Sequence, residues 1–309
     1  MAILVISRDP LSEKLIALFR QKLPDQEFRV WPDVGDVGDI EYALAWRPPD
    51  GELAKLPELK AILSFAAGVD HLTGDPALPK QIPVVRAVSD ASRLTMSSYC
   101  AAQVLRFHHR LELYADFQRQ GLWKQVQPRD MADTRVGVLG VGALGLDLGQ
   151  RLKALGFPVS GWARSARTVD GLKMHSGDRG LSDCLASSDV VVCLLPLTPE
   201  TTGILNARTF ATMPKDSYVI NVARGGHVVI PDLIAAIDGG HLAGATLDVF
   251  DVEPLPADSP LWRHPKITVT PHTAGRMSSA RVAQNMVEML QYVTSGAPLQ
   301  NVVDWSKGY

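Results

Sequence analysis

Arg224 in "INVARGG", Glu253 in "LDVFDVEPLP" and His272 in "TVTPHTAG" each follow a short apolar run of the kind that forms a buried strand. In a doubly wound sheet the carboxyl ends of the strands face the ligand crevice, so a cation, a carboxylate and an imidazole would converge there. That set suits proton transfer to an oxygen on a carboxylate-bearing substrate. Arginine anchors the carboxylate by charge-assisted hydrogen bonds and histidine supplies the proton. Glu253 beside His272 would favour the imidazolium and keep the proton donor loaded near neutral pH. Singly, each residue has an ordinary structural role, as a capping cation, a surface acid before Pro254 and a satisfied loop histidine. Their joint placement is what points to chemistry.

A second constellation precedes these. In "VGVLGVGALG", Gly140, Gly142 and Gly145 fall where the strand "RVGVL" hands over to the helix "ALGLDLGQRLKALG", and the strand "PVSGWA" follows. In that context a G-x-G-x-x-G turn binds a dinucleotide. Gly140 would make the turn, Gly142 would admit the pyrophosphate to the helix start and Gly145 would let helix and strand approach; Val141, Ala143 and Leu144 complete the turn. The end of the second strand selects the dinucleotide. The acidic residue that takes the ribose hydroxyls of NAD is absent: Ala163 stands there, followed by "RSAR". Arg164, Ser165 and Arg167 suit a 2′-phosphate, so NADPH is favoured over NAD, the alternative being a solvated basic loop. With such a cofactor the triad fits hydride transfer to a 2-keto acid, whose nascent alkoxide needs a proton.

The elements that must position these residues are legible as two α/β regions. The chain has 309 residues, a length that predicts about two domains. With 31 basic against 33 acidic residues, no overall field favours nucleic acid or an anionic membrane. Cys100, Cys184 and Cys193 lack disulfide or metal spacing and read as reduced, buried thiols. No apolar stretch approaches the ~18 residues of a membrane helix. "MAILVISRDP" reads as a first strand rather than a leader, and the expected location is the cytoplasm.

Strand-like and helix-like segments alternate from "AILVIS" to "LKAILSF", the signature of a parallel sheet with covering helices. "SSYCAAQVLRFHHRLELYADFQRQ" reads as one long helix. Six strands of a Rossmann-type sheet follow: "VGVLG", "PVSGWA", "DVVVCLLP", "YVINVARG", "GATLDVF" and "ITVTPH". The last helix, with Val282, Met286, Met289, Leu290 and Val293 on one face and Gly296 as its stop, should return to the first domain. The expected division is 1–98 with 276–309 for a smaller, flavodoxin-like α/β substrate domain, and 99–275 for the dinucleotide-binding domain inserted in it. His108 and His109 fit a polar helix face, His175 a loop and His264 a turn; none offers metal spacing, so no metal is expected.

The motifs "VGVLGVGALG", "LLPLTPETTGILN", "MPKDSYVINVARGGHV", "LDVFDVEPLP" and "SPLWRHPKITVTPHTAG" together resemble, in order, those of the D-isomer-specific 2-hydroxyacid dehydrogenases. Within that family, "WARSAR", "PLWRHP" and the "GY" ending are most similar to the glyoxylate/hydroxypyruvate reductase A branch. The resemblance implies Arg224 as the substrate-orienting arginine, Glu253 as the carboxylate that polarises the histidine and His272 as the acid/base. It implies that "SFAAGVDHL" holds the substrate carboxylate through backbone amides near Gly68 and Val69, a plain strand-to-helix turn being the alternative. It also extends the cofactor surface to Leu195, Pro196, Val222, Ala223, Arg224, Asp248, His272, Ala274 and Gly275. Trp46 and Arg47 in "LAWRPPD" either line the substrate pocket or end an ordinary strand. The expected activity is reduction of glyoxylate and hydroxypyruvate; D-lactate or a larger 2-keto acid as substrate, or a dinucleotide-sensing role, are the competing readings. Relatives commonly pair as dimers through the segment matching Tyr99 to Pro128, in which Trp123 either joins that interface or reaches a neighbouring active site.

Overall fold

The computed structural model describes residues 2–9 and 11–306, so the "GY" ending, Gly308 and Tyr309, lies outside the described residues. The chain forms two compact units, one made of residues up to Ser92 together with those from Met277 onward, the other running Arg93–Arg276. The first division falls earlier than the expected 98/99, inside the helix Asp90–His108, and the second falls one residue later than 275/276.

The first unit is built on β1 (Ala2–Ser7), α1 (Glu13–Lys22), β2 (Glu27–Val30), β3 (Ile40–Trp46), β4 (Ala61–Ser64), α2 (Asp70–Thr73) and β5 (Val84–Val85). Its five parallel strands run in the order β2-β1-β3-β4-β5, the flavodoxin-like order. All six residues of β1 are buried because both sheet faces are covered. Ala2, Leu4 and Ile6 join one core, and Ile3 and Val5 join the other. The order reverses between β1 and β3, which places Trp46 and Arg47 beside the switch point.

The second unit starts with α3 (Asp90–His108), most of which belongs to it, and α4 (Leu111–Arg119). This corrects the expectation of one long helix. Arg110 takes φ 55°, a left-handed conformation that no α-helix continues through, and the chain restarts beyond it. His108 is also not on a polar face: it is buried, with Nδ1 2.9 Å from the Thr134 hydroxyl.

There follow β6 (Val136–Leu139), α5 (Ala143–Ala154), β7 (Val159–Ala163), β8 (Lys173–Ser176), α6 (Gly177–Ala186), β9 (Val190–Cys193), α7 (Ala207–Thr212), β10 (Ser217–Asn221), α8 (Ile230–Asp238), β11 (Leu242–Leu247) and β12 (Ile267–Val269). The sheet is parallel, in the order β12-β11-β10-β9-β6-β7-β8. It has seven strands where six were expected. The addition is β8, so His175 lies in an edge strand and not in a loop. "KMHS" gives no apolar run, and at the end of the sheet, with a strand neighbour on one side only, none of its residues is fully buried.

The closing helix, α9 (Ser279–Thr294), is capped by the Ser278 hydroxyl, which accepts from the Arg281 amide. Val282, Met286, Met289, Leu290 and Val293 pack into the core of the first unit. All three cysteines are free and buried. No helix among the described residues is long and apolar enough to cross a membrane.

Candidate active site

The sheet order of the second unit reverses between β6 and β9, and the glycine turn follows β6 at that point. Gly140 has φ 95°, and a Cβ there would lie 2.8 Å from the Leu194 carbonyl group. At Gly145 a Cβ would lie 2.1 Å from the Gly140 oxygen, so only glycine lets α5 start this close to the strand it follows. At Gly142 the corresponding space is open. The amides of Val141, Gly142, Ala143 and Leu144 find no acceptor among the described residues. Open amides at the positive end of a twelve-residue helix are what a pyrophosphate needs, so the turn fits the dinucleotide expected of it.

At the end of β7, Ala163 passes the chain to the basic loop. Arg167 bends back to the turn and donates from its guanidinium to the Val141 carbonyl at 2.5 Å. Arg164 is 43 % exposed and lies 3.8 Å from the Glu200 carboxylate, a separation at which solvent still reaches both groups. Arg164 and Arg167 thus both follow the second strand, which ends in Ala163 and not in an acidic residue.

The other expected residues cluster at the same edge of this sheet. Leu195 and Pro196 follow β9; Val222, Ala223 and Arg224 follow β10; Asp248 follows β11; and His272, Ala274 and Gly275 follow β12. The Arg224 loop is packed tightly against the loop after β11: a Cβ on Gly225 would lie 2.1 Å from the Phe250 carbonyl carbon.

The second of these loops carries Glu253. One carboxylate oxygen, Oε1, accepts from the Phe250 amide at 2.9 Å, and the other, Oε2, lies 2.7 Å from His272 Nδ1. Because an ionised carboxylate only accepts, Nδ1 carries the hydrogen in this bond. The opposite ring nitrogen, Nε2, has no partner among the described residues. The side chains of His272 and Glu253 are 42 % and 33 % exposed, so a ligand can reach the pair.

His272 itself has φ 49°, and Asp248 holds it there. The His272 amide donates to the Asp248 carbonyl at 2.8 Å. The Asp248 carboxylate, only 1 % exposed, accepts from the Thr270 hydroxyl at 2.6 Å and from the amides of Thr273 and Ala274 at 2.9 Å each. With its hydrogen committed to Asp248, Thr270 accepts from the Tyr99 hydroxyl at 2.6 Å. Burial pushes the Tyr99 phenol up to about 12, so it keeps that hydrogen at neutral pH. A chain of donors from α3 thus ends on the carboxylate that shapes the histidine turn.

In the first unit, the Gly68 and Val69 amides make no hydrogen bond among the described residues, and Val69 caps α2. Trp46 ends β3 with its ring 4.6 Å from that of His71, and Arg47, with φ 42°, pairs with Asp9 at 3.4 Å. His71 and His227 are two residues beside the expected sites that the sequence reading passed over; neither sits in a pattern that separates it from an ordinary helix or loop histidine.

Fold and site together define a two-domain α/β protein of the dinucleotide-binding type, with an imidazole–carboxylate pair on the nucleotide-binding sheet. The family model for the D-isomer specific 2-hydroxyacid dehydrogenase, NAD binding domain, matches residues 101–274. The chain belongs to the D-isomer specific 2-hydroxyacid dehydrogenases. It is 37 % identical over 303 residues to glyoxylate/hydroxypyruvate reductase A of Serratia proteamaculans, covering 96 % of each chain. It is 39 % identical to the protein of that name from Photorhabdus laumondii, covering 94 % of each.

Among solved structures, a D-isomer specific 2-hydroxyacid dehydrogenase from Xanthobacter autotrophicus in complex with NADPH and MES matches with TM-score 0.93 and 38 % identity. The match covers 100 % of this chain and 99 % of that one. The NADPH-dependent glyoxylate/hydroxypyruvate reductase of Sinorhizobium meliloti, in complex with NADP and sulfate, matches with TM-score 0.91 and 34 % identity over the whole of both chains.

Proposed function

We propose that this protein is an NADPH-dependent reductase of small 2-keto acids, converting glyoxylate to glycolate and hydroxypyruvate to D-glycerate. The observation that carries the reading is the 2.7 Å contact between His272 Nδ1 and Glu253, which leaves the opposite ring nitrogen to serve a substrate oxygen. The relatives named for this reaction, and the similar structures holding NADPH or NADP, support it.

The glycine-turn amides and the arginines after β7 would hold the cofactor, which when bound supplies the hydride to the carbonyl carbon. Arg224 orients the substrate carboxylate, and in the first unit the open amides of Gly68 and Val69 suit a carboxylate as well. His272 donates a proton from Nε2 to the carbonyl oxygen as it becomes a hydroxyl, and Glu253 stabilises the ring while it holds that proton. Trp46 and Arg47 contribute to substrate selection from the rim of their own sheet.

Initial rates of NADPH and NADH consumption with glyoxylate, hydroxypyruvate and pyruvate test the reading. Fast turnover of the first two with NADPH preferred is expected; no turnover with either cofactor would overturn it. In the double variant Arg164→Ala/Arg167→Ala, loss of two charge-assisted contacts should reduce the NADPH-over-NADH preference by about 10–100-fold. An unchanged preference would remove the arginines from the phosphate site.

The same reading includes a homodimer. No residue of α4 is buried, Leu111 and Leu122 are about half exposed, and Trp123 is 97 % exposed. A second copy of this chain is proposed to cover that surface. Sedimentation of the wild type as a dimer and of Trp123→Lys as a weakened one is the expected result.

A further inference from the structure

His227 is fully buried, and its ring lies between two loops that carry different parts of the site. Nε2 is 3.2 Å from the Pro196 carbonyl oxygen, in the loop after β9. Nδ1 is 3.2 Å from the Arg224 amide nitrogen and 3.1 Å from the Arg224 carbonyl oxygen, in the loop after β10. A carbonyl oxygen only accepts, so Nε2 carries the hydrogen toward Pro196, and in that tautomer Nδ1 receives the one from the Arg224 amide. One imidazole therefore bridges the main chain of Arg224 and that of Pro196 across the two loops.

The backbone of His227 is held independently of its ring. The Leu205 amide donates to the His227 carbonyl at 2.9 Å, the Gly203 amide donates to the Gly226 carbonyl at 2.7 Å, and the Val229 amide donates to the Leu205 carbonyl at 2.9 Å. With its base fixed, the ring acts as a spacer of defined length. Pro196 has a second hold, since its oxygen also accepts from the Thr201 hydroxyl at 2.7 Å. The Arg224 carbonyl likewise accepts from the Asn221 side-chain amide at 2.8 Å. The imidazole joins the Arg224 amide to the Pro196 loop through a single side chain.

We infer that His227 is a positioning residue that sets Arg224 against the Leu195–Pro196 loop, so that the substrate anchor and this part of the cofactor surface are located by one ring. The inference rests on the proposed roles of Arg224 and of that loop. It extends them by naming what holds the two in register.

The two ring contacts can be separated in the full-length protein. In His227→Gln the side-chain amide nitrogen reaches the Nε2 position and keeps Pro196, while the acceptor for Arg224 is lost. In His227→Asn the side-chain oxygen takes the Nδ1 position and keeps Arg224, while the Pro196 contact is lost. The readouts are NADPH affinity by fluorescence titration, oxalate affinity by calorimetry with NADPH saturating, and the steady-state kinetics of glyoxylate reduction.

His227→Gln is expected to weaken oxalate and raise the glyoxylate KM by about tenfold, with a smaller change in kcat and NADPH affinity within about threefold. His227→Asn is expected to show the reverse, NADPH weakened about fivefold because Thr201 still holds Pro196, with oxalate within about threefold. A residue that merely fills space would move both ligands together in both variants. That symmetric result, or no change in either, would overturn the inference, and if one variant fails to fold, the asymmetry in the other decides. A wild type that neither reduces glyoxylate nor binds oxalate would overturn the reading of Arg224 beneath it. Wild-type turnover with symmetric variants overturns the role of His227 alone.

Discussion

His272, with φ 49°, and Arg47, with φ 42°, both take left-handed backbone conformations just past the carboxyl end of a parallel strand. For a residue with a side chain such a conformation costs about 1–3 kcal/mol and persists only where the surroundings enforce it. Around His272 they do so repeatedly. Its amide is held by the Asp248 carbonyl, its ring by Glu253 and its neighbours Thr273 and Ala274 by the buried Asp248 carboxylate. Arg47 has far less. Its carbonyl accepts from the Arg8 amide at 3.0 Å, and its guanidinium meets Asp9 at 3.4 Å with both side chains about half exposed. An exposed pair of that kind contributes about 0–1 kcal/mol. The difference teaches that one conformation can serve two ends: the proposed proton donor is pinned, whereas Arg47, proposed for a pocket rim, is held by few contacts.

The largest expected effect breaks the pinned side of this comparison directly. His272→Gln should lower kcat about 10³-fold while NADPH affinity stays within about threefold, because a general acid contributes on that scale. Stopped-flow and titration measurements check the two numbers separately, and a kcat near wild type would remove His272 from the proton step. Glu253→Gln should lower kcat by about 10²-fold with little change in the KM for glyoxylate, since the ring would lose its counter-charge and its fixed tautomer.

Asp248→Asn sharpens the comparison by loosening the support without touching the ring. An amide nitrogen placed opposite the Ala274 or Thr273 amide leaves a buried donor unsatisfied, which should cost about 1–3 kcal/mol in denaturant unfolding. The matching change on the other side, Asp9→Asn, should cost less than about 0.5 kcal/mol. Equal losses would mean that the two turns are held alike. A second variant on that side, with opposing contributions, is Arg47→Gly. Relief of the left-handed strain and the extra freedom of an unfolded glycine oppose each other, so stability should stay within about 1 kcal/mol of wild type. A KM for hydroxypyruvate raised in that variant would support Arg47 at the substrate rim, and an unchanged KM would return it to an ordinary strand end.

Much of this architecture is readable in the chain because buried parallel strands must be apolar on both faces. The runs around Val136–Leu139, Val190–Cys193 and Ser217–Asn221 are wholly buried, and each announces itself without alternation. The same reason hides the elements that are not enclosed. β8 is a polar edge strand, β5 is two residues long, and the stop between α3 and α4 is a single left-handed Arg110 with no glycine or proline to mark it.

The glycine turn, the missing acid after β7 and the order of Arg224, Glu253 and His272 along the chain are properties of sequence alone. Backbone geometry restricts which residue types can occupy a tight turn, and parallel strands deliver their carboxyl ends to one edge. Which hydrogen bonds those residues make is a different matter. That Glu253 meets Nδ1, that Asp248 shapes the histidine turn from beneath, that Gly225 presses on Phe250 and that His227 spans two loops depend on contacts between segments far apart in the chain. Such contacts are set by how strands and loops pack against one another, and only the folded second unit brings those atoms together.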